Sequence, residues 1–326
     1  MRKRNWVGVC IVNYKTATLT INCLRSLAME ARLFDVIVVD NDSQDGSFSE
    51  ISAAVTRAGW SDWVTVIESK LNGGFAYGNN IAIRAFLTRN EAPEYLYLLN
   101  PDTVVLAGAI DRLVSFMQGK RSAGIIGSQI EGEHGQLLNS AFKFHTCFSE
   151  LNKGASLSVL TKLLKRWVTD EKIPTEPVKV DWVSGASMMI RREVFEQTGL
   201  LDEAYFMYFE ETDFCMQAGR AGWDCWYVPS SRVMHLVGQS SGITNEKVLN
   251  RMPTYWFDSR RRYYLKNYNG IHACCADFFW LLGFSTWKLR CFIQRKEDNS
   301  PPYIFRDMLF NSVLFRGFKI GPAKND

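Results

Sequence analysis

No stretch of this 326-residue chain stays apolar for the roughly 20 residues that a helix needs to cross a bilayer. The longest apolar run, Phe278 to Trp287, is interrupted by Gly283, Ser285 and Thr286. The N-terminus, Met1-Arg2-Lys3-Arg4, passes directly into a short strand-like segment. It has neither the length nor the small-residue cleavage site of a secretory signal. None of the 8 cysteines belongs to a C-x-x-C pair, so neither a zinc site nor a disulfide framework is expected; reduced thiols in a cytosolic chain are. With 9 prolines and 23 glycines the chain is not collagen-like. With 22% charged and 47% hydrophobic residues it is not disordered. The net charge is only +4, but it is unevenly spread. Residues 251–326 hold 13 Lys/Arg and 6 Asp/Glu, against 25 and 28 in the rest. A basic, aromatic-bearing tail on a slightly acidic body suits an anionic membrane surface. Nucleic acid is the weaker choice, because no binding motif for it is present.

What the chain does have is a regular alternation. Val7 to Val12, Val36 to Val39, Trp63 to Ile67 and Tyr95 to Leu99 are short continuous apolar runs. Amphipathic helical patterns separate them: Thr18 to Leu27, then one carrying Ile51, Ala54, Val55 and Ala58, then one carrying Ile81, Ala82, Ala85 and Phe86. Strands apolar on both faces, separated by helices, predict an α/β fold with a mostly parallel sheet covered on both sides. Further along, Gly124 to Ile130 and Val180 to Met189 have strand character, Leu157 to Trp167 and Arg192 to Gln197 helical character. Asp224 to Val228 reads as a strand stopped by Pro229, with His235 beyond it in a Gly/Ser-rich segment.

Each early strand ends in polar residues: Asn13-Tyr14, Asp40-Asn41-Asp42-Ser43, Asn72-Gly73-Gly74 and Asn100-Pro101-Asp102. One such end is an ordinary turn. Four on one edge of an open sheet form a binding crevice, since ligands sit outside the carboxyl ends of the strands. Pro101 holds Asp102 in a stiff turn. Asp102 and His235, if close in space, would suit Mg²⁺ or Mn²⁺ shared with phosphate oxygens. Asn72 to Asn80 is a glycine-rich loop that lets a backbone approach a nucleotide or sugar. It is neither a G-x-G-x-x-G fingerprint nor a P-loop.

Glu210, Glu211 and Asp213 open a helix. Glu210 and Asp213 share a face and could cap it, while Glu211 lies about 200° away from Asp213 and could face a site. Among Phe206, Tyr208 and Phe209 its carboxylate would have a raised pKa, as a general base requires. Arg260-Arg261-Arg262 is either a solvated helix face or a diphosphate clamp.

Taken in order, these motifs resemble the family-2 inverting glycosyltransferases with a GT-A fold, over about Val7 to Tyr264, and in particular their rhamnosyltransferase-like branch. The resemblance implies a Rossmann-like, mostly parallel sheet with helices on both faces and a C-terminal helical extension. It divides the chain into a nucleotide-sugar half (1–103), an acceptor and catalytic half (104–245), and a basic, aromatic helical region (246–326). Val36 to Ser43 resembles the nucleotide-base motif, which implies that Asp40 contacts the base, with Asn13 and Tyr14 beside it. Asn72, Gly73 and Asn80 belong to the branch's loop. Asn100-Pro101-Asp102 stands at the family's D-x-D, so metal ligation rests on Asp102, with His235 at the position of the metal-binding histidine. Asp181 to Ala186, with Trp182 and Gly185, resembles the acceptor side. Tyr208 to Asp213 resembles the E-D-x-D motif, with Glu211 as catalytic base and Glu210 and Asp213 flanking it. Arg260 and Arg262 resemble its Arg-rich segment and would neutralise the leaving group.

The resemblance further implies a dTDP- or UDP-linked donor, with dTDP-L-rhamnose favoured over UDP-galactofuranose and UDP-hexoses. It implies a glycan or polyprenyl-diphosphate-linked acceptor, and work in the cytoplasm or at the inner face of the plasma membrane. The segment from Phe278 to Lys296 would touch the bilayer; a helical lid or a homodimer contact is the alternative. Two rivals differ in class. A nucleotidyltransferase would carry glycine in the loop after the first strand, and Asn13-Tyr14-Lys15-Thr16-Ala17 has none. A non-catalytic nucleotide-binding module would use Glu210 to Asp213 merely as helix caps.

Overall fold

The computed structural model describes residues 6–30, 34–169, 173–236, 244–245, 248–249 and 251–321. The alternation forms β1 (Val7–Asn13), α1 (Ala17–Ala28), β2 (Phe34–Asp40), α2 (Ser47–Arg57), β3 (Val64–Glu68), α3 (Gly74–Leu87) and β4 (Tyr95–Leu99). β1 runs parallel to β2 and β4, and β2 parallel to β3. The register sets Asn13 beside Asp40 and Asp40 beside Glu68, which brings the polar strand ends to one edge.

The second half adds β5 (Thr103–Val105), α4 (Ala109–Gly119), β6 (Ala123–Glu131), β7 (Leu137–Leu138) and β8 (Ala141–Phe142). Then come α5 (Cys147–Ala155), α6 (Ser158–Leu163) and a 3₁₀ turn at Lys165–Trp167. β9 (Val178–Val180), β10 (Trp182–Val183), β11 (Ser187–Arg191), α7 (Arg192–Thr198), α8 (Glu210–Arg220) and β12 (Asp224–His235) follow, with the short β13 (Thr244–Asn245) and β14 (Val248–Leu249). The main sheet has the order β3-β2-β1-β4-β11-β6-β12-β5, continuous across both halves. β11 runs antiparallel to β4 and β6, and β5 antiparallel to β12. Alternate side chains of β1 separate the two layers. Val7, Val9 and Ile11 face α1, α2 and α4, while Cys10 faces α3, α7 and α8.

Two expectations need correction. The segment from Val180 to Met189 is not one strand but three pieces, because the turn at Ser184–Ala186 leaves the sheet between β10 and β11. Pro229 does not stop its strand. β12 continues to His235, and its register against β6 jumps between Val228 and Arg232. Proline is tolerated at such a bulge because no ladder N–H is demanded there. His235 therefore sits on a strand, paired with Thr103 of β5, rather than in a loop.

The C-terminal region is helical: α9 (Thr254–Asn267), α10 (Gly270–Gln294), α11 (Ile304–Phe310) and α12 (Val313–Arg316). Among the described residues, no helix is long and apolar enough to cross a membrane. α10 crosses α5 at two glycines. A Cβ on Gly154 would lie 2.6 Å from the Trp280 carbonyl oxygen, and one on Gly283 2.6 Å from that of Leu151. Only residues without side chains allow backbones this close. The contact ties the C-terminal region to α5.

Candidate active site

At the ends of β1 and β2 the polar residues bind mainly one another. Asn13 Nδ2 donates to Asp40 Oδ2 at 2.6 Å and to Ser43 Oγ at 3.2 Å. The backbone N–H of Ser43 donates to Asp40 Oδ1 at 3.0 Å, and its hydroxyl to Oδ2 at 2.7 Å. Thr16 and Thr20 hydroxyls donate to Asn13 Oδ1. Asp40 is 2% exposed. Asn13 and Asp40 thus lock two loops together, while Tyr14, 39% exposed, stands at the rim. The loops carry non-glycine residues in the left-handed region, Lys15 at φ 57°, Asp42 at 60° and Gln44 at 54°. Such backbones persist only where the surroundings fix them.

At the end of β4, Asp102 meets the end of β12. His235 Nε2 lies 3.1 Å from Asp102 Oδ1 and 3.4 Å from Asn100 Nδ2. The backbone N–H of Leu236 donates to the Asp102 carbonyl at 2.9 Å. The two residues that the sequence analysis assigned to a metal, 133 positions apart, are therefore neighbours. Two donors about 3 Å apart match adjacent corners of an octahedral site with bonds near 2.1 Å. Among the described residues no group of three or more His, Cys, Asp or Glu side chains could hold an ion. This donor set needs oxygens from a ligand to complete it.

The link from this edge to Glu211 is the turn before β11. The Asn100 N–H donates to the Ala186 carbonyl at 3.1 Å. A Cβ on the adjacent Gly185 would lie 3.1 Å from the Phe75 ring and 3.9 Å from Glu211 Cβ. Glu211 enters a cavity of about 230 Å³ with Phe142, His145, Lys153, Thr169, Trp182, Tyr208, Phe209, Thr212 and Trp256 around it. Trp182 stacks on Phe142 at 4.3 Å and donates from Nε1 to the Lys143 carbonyl at 3.0 Å. Tyr208 and Phe209, just before the helix, have φ of 71° and 67°. Aromatic residues seldom adopt this conformation.

Burial raises the Glu211 pKa above the ordinary carboxylate value, although the backbone N–H groups of Glu211, Gly185 and Thr212 act against the shift. Burial raises Glu210 further, and the charge of Glu211 adds to it. Oε2 of each has no hydrogen-bond partner among the described residues. His145 in the cavity wall is lowered to about 4, chiefly by burial and then by Lys153, so it is neutral at pH 7.

Several expected site residues have other work. The N-cap position of α8 is Phe209, which makes no side-chain cap bond, and Asp213 does not fill that role. Asp213 instead binds Lys266 Nζ at 2.6 Å and Asn267 Nδ2 at 2.6 Å, joining α8 to α9. Asn80 is fully buried, donating to the Leu201 carbonyl at 2.8 Å and accepting from the Leu201 N–H at 3.2 Å. Asn72 accepts from Asn41 at 2.9 Å and from the Gly74 N–H at 3.2 Å. The glycines of that loop permit internal contacts. A Cβ on Gly73 would strike the Tyr77 side chain at 2.4 Å, and one on Gly74, φ +85°, the Phe206 carbonyl at 1.9 Å.

Arg260 is neither solvated nor a clamp. It is 4% exposed and binds Glu150 at 2.9 Å and Asp277 at 2.5 Å. Burial opposes its charge, but those two carboxylates outweigh it and raise its pKa. Arg262 is held by Asp202 at 2.8 Å. These partners are invisible in the local sequence, because each lies on another segment of the chain. His145, Lys153 and Trp256 were not singled out. His145, one of only 4 histidines, was the available signal.

Residues 4–253 match the family described as glycosyltransferase like family 2. An N-acetylglucosaminyl-diphospho-decaprenol L-rhamnosyltransferase of Mycobacterium tuberculosis is 32% identical over 228 residues, 67% of this chain and 71% of the relative. A low-salt glycan biosynthesis hexosyltransferase, Agl10 of Haloferax volcanii, is 31% identical over 66% of this chain and 62% of its own length. The crystal structure of GalNAc-T7 with UDP, GalNAc and Mn²⁺ superposes with a TM-score of 0.58 at 15% identity, over 99% of this chain and 60% of that one. That likeness is one of fold, and the fold is GT-A.

Proposed function

We propose that this chain, which belongs to the family-2 glycosyltransferases, moves L-rhamnose from dTDP-L-rhamnose to a hydroxyl of a polyprenyl-diphosphate-linked glycan, with inversion. The observation that carries the mechanism is Glu211. It is a buried carboxylate with a raised pKa and one oxygen without a partner among the described residues. It stands in an aromatic cavity, joined to the strand edge that carries Asp102 through the turn at Gly185 and Ala186. Rhamnose as donor and a lipid-linked acceptor are supported by the name of the mycobacterial relative. The name of the haloarchaeal relative, a hexosyltransferase, supports transfer of a hexose as the second reading.

In this reading the nucleotide lies over the ends of β1 and β2. Asn13, Asp40, Asn72 and Asn80 shape that floor, and Tyr14 stands at its exposed rim. Asp102 and His235 would hold Mg²⁺ or Mn²⁺, which when bound supplies charge to the donor diphosphate. Glu211 accepts the proton of the acceptor hydroxyl. The oxygen forms its bond to the anomeric carbon on the face opposite the nucleotide. The bond to the diphosphate breaks, and its electron pair leaves with the nucleotide. Trp182 and Gly185 border the acceptor. The N-terminal half thus serves the donor and the half from residue 104 the acceptor.

Contact with the bilayer is supported by the exposed Phe278, Leu282, Leu289 and Phe292 of α10 and Leu314 and Phe315 of α12, with Arg295 and Lys296 close by in the chain. Asp102→Ala is expected to abolish metal-dependent donor binding in calorimetry with and without Mn²⁺. Unchanged binding would reject the metal assignment. An NMR spectrum of the product with retained anomeric configuration would reject inversion.

A further inference from the structure

Beside the Glu211 cavity lies a larger pocket of about 510 Å³. Lys153 and Trp256 stand in the walls of both. The two spaces therefore adjoin, but their chemistry differs. The smaller one carries Glu211, Thr212 and His145 among its rings. The larger one is walled mainly by Met252, Trp256, Trp280, Phe284, Trp287 and Ile304, with Glu297 the one carboxylate among its described lining residues. Trp280 and Phe284 stack there at 4.9 Å with an interplanar angle of 11°. Pockets that enclose a small ligand usually span roughly 300–1,000 Å³. The larger space falls in that range and the smaller below it, as expected if each takes one part of a longer molecule. Lys153 is the only cation among the described residues lining either pocket.

From one end to the other, the sequence of chemistries is a carboxylate in a small polar-aromatic cavity, then a cation at the shared wall, then an apolar aromatic pocket. We infer that the two pockets bind one acceptor molecule, a sugar joined through diphosphate to a polyprenyl chain. The sugar lies at Glu211, the diphosphate at Lys153 and the first isoprene units against Trp256, Trp280, Phe284 and Trp287. The choice of occupant rests on the sugar-transfer reading above. The order of parts in such a molecule, hydroxyl-bearing ring, anion and hydrocarbon, is the order of the parts on the protein. Flat, methyl-branched isoprene units suit indole and phenyl faces, and the shared cation complements the anion. The same helix that supplies Trp280, Phe284 and Trp287 also bears the exposed Leu289 and Phe292. A hydrocarbon tail leaving the pocket therefore meets the face proposed for the bilayer.

The test is calorimetry on the full chain with farnesyl diphosphate, farnesol and inorganic diphosphate as probes. Farnesyl diphosphate is expected to bind saturably and more tightly than either of the others. Trp287→Ala should weaken farnesyl diphosphate and farnesol alike, by about tenfold, as loss of an aromatic anchor does. Lys153→Ala, at an exposed position that leaves the fold intact, should weaken farnesyl diphosphate by a similar factor and leave farnesol unchanged. Lys153→Arg should restore it. Absence of saturable binding, or binding that both alanine variants leave unchanged, overturns the assignment. Donor turnover on a water-soluble glycoside judges sugar transfer separately. Turnover without farnesyl diphosphate binding removes the prenyl pocket alone. Binding that responds to both variants, with no turnover, upholds the pocket and removes sugar transfer.

Discussion

Two sets of buried acids lie within this molecule, and they are treated in opposite ways. Glu150, Asp277 and Asp213, at the junction of α5 and α8 with the C-terminal helices, are saturated by Arg260, Lys266, Asn267 and Tyr264. Burial works against the ionisation of Glu150, but Arg260 above all, with Lys153, outweighs it and holds its carboxyl below the ordinary range. Glu210 and Glu211 have no such cations, and burial raises both. A buried acid with its partners supplied holds elements together. One left without them is costly to ionise and becomes a strong base once ionised. The difference marks where the fold ends and the chemistry begins.

Breaking the saturated set should have the largest effect on stability. Arg260→Ala leaves Glu150 and Asp277 buried without their cation and is expected to cost about 3–5 kcal/mol in urea unfolding. By contrast Arg262→Gln, at a half-buried pair, should cost less than about 1 kcal/mol and leave donor affinity unchanged. A large loss of donor affinity there would restore the diphosphate clamp.

A smaller effect sharpens the other half of the comparison. Burial is the chief cause of the raised pKa of Glu211, so kcat/KM should rise with pH through a limb above the ordinary glutamate range. Glu210→Gln should leave that limb in place. The sign for stability also follows. A carboxyl whose folded pKa is raised contributes stability that is complete below its unfolded pKa and is lost as pH rises toward the folded value. Glu210→Gln should therefore become increasingly stabilising relative to the parent as pH rises above the ordinary carboxylate range. A limb that falls to that range in the variant would assign the shift to the neighbouring charge instead.

Much of the fold was legible in the residues. β1, β2 and β4 are apolar on both faces because helices cover both, and a continuous Val/Ile/Leu run carries that information locally. Asp102 and His235 were legible as a pair because strand ends converge by topology. What was not legible depends on partners remote in sequence. Arg260 cannot be told from a solvated or phosphate-binding arginine until Glu150, 110 positions away, is seen against it. The glycines at 73 and 74 offer space, but only the fold shows that Tyr77 and Phe206 fill it. Asp40 lies where the motif put it, yet its carboxylate faces Asn13 and Ser43. The wall is assembled from His145 in an irregular segment, Lys153 on α5 and Trp256 on α9, three places whose convergence no local pattern announces.

The central claim is that Glu211 is the base, and one paired measurement addresses it. Glu211→Gln keeps the shape of the side chain and removes its basicity. Transfer should fall by about 10²–10⁴-fold, while calorimetric affinity for the nucleotide-sugar with Mn²⁺ stays at the parent value. Transfer at the parent rate would contradict the account, and so would a loss of donor binding that matches the loss of transfer.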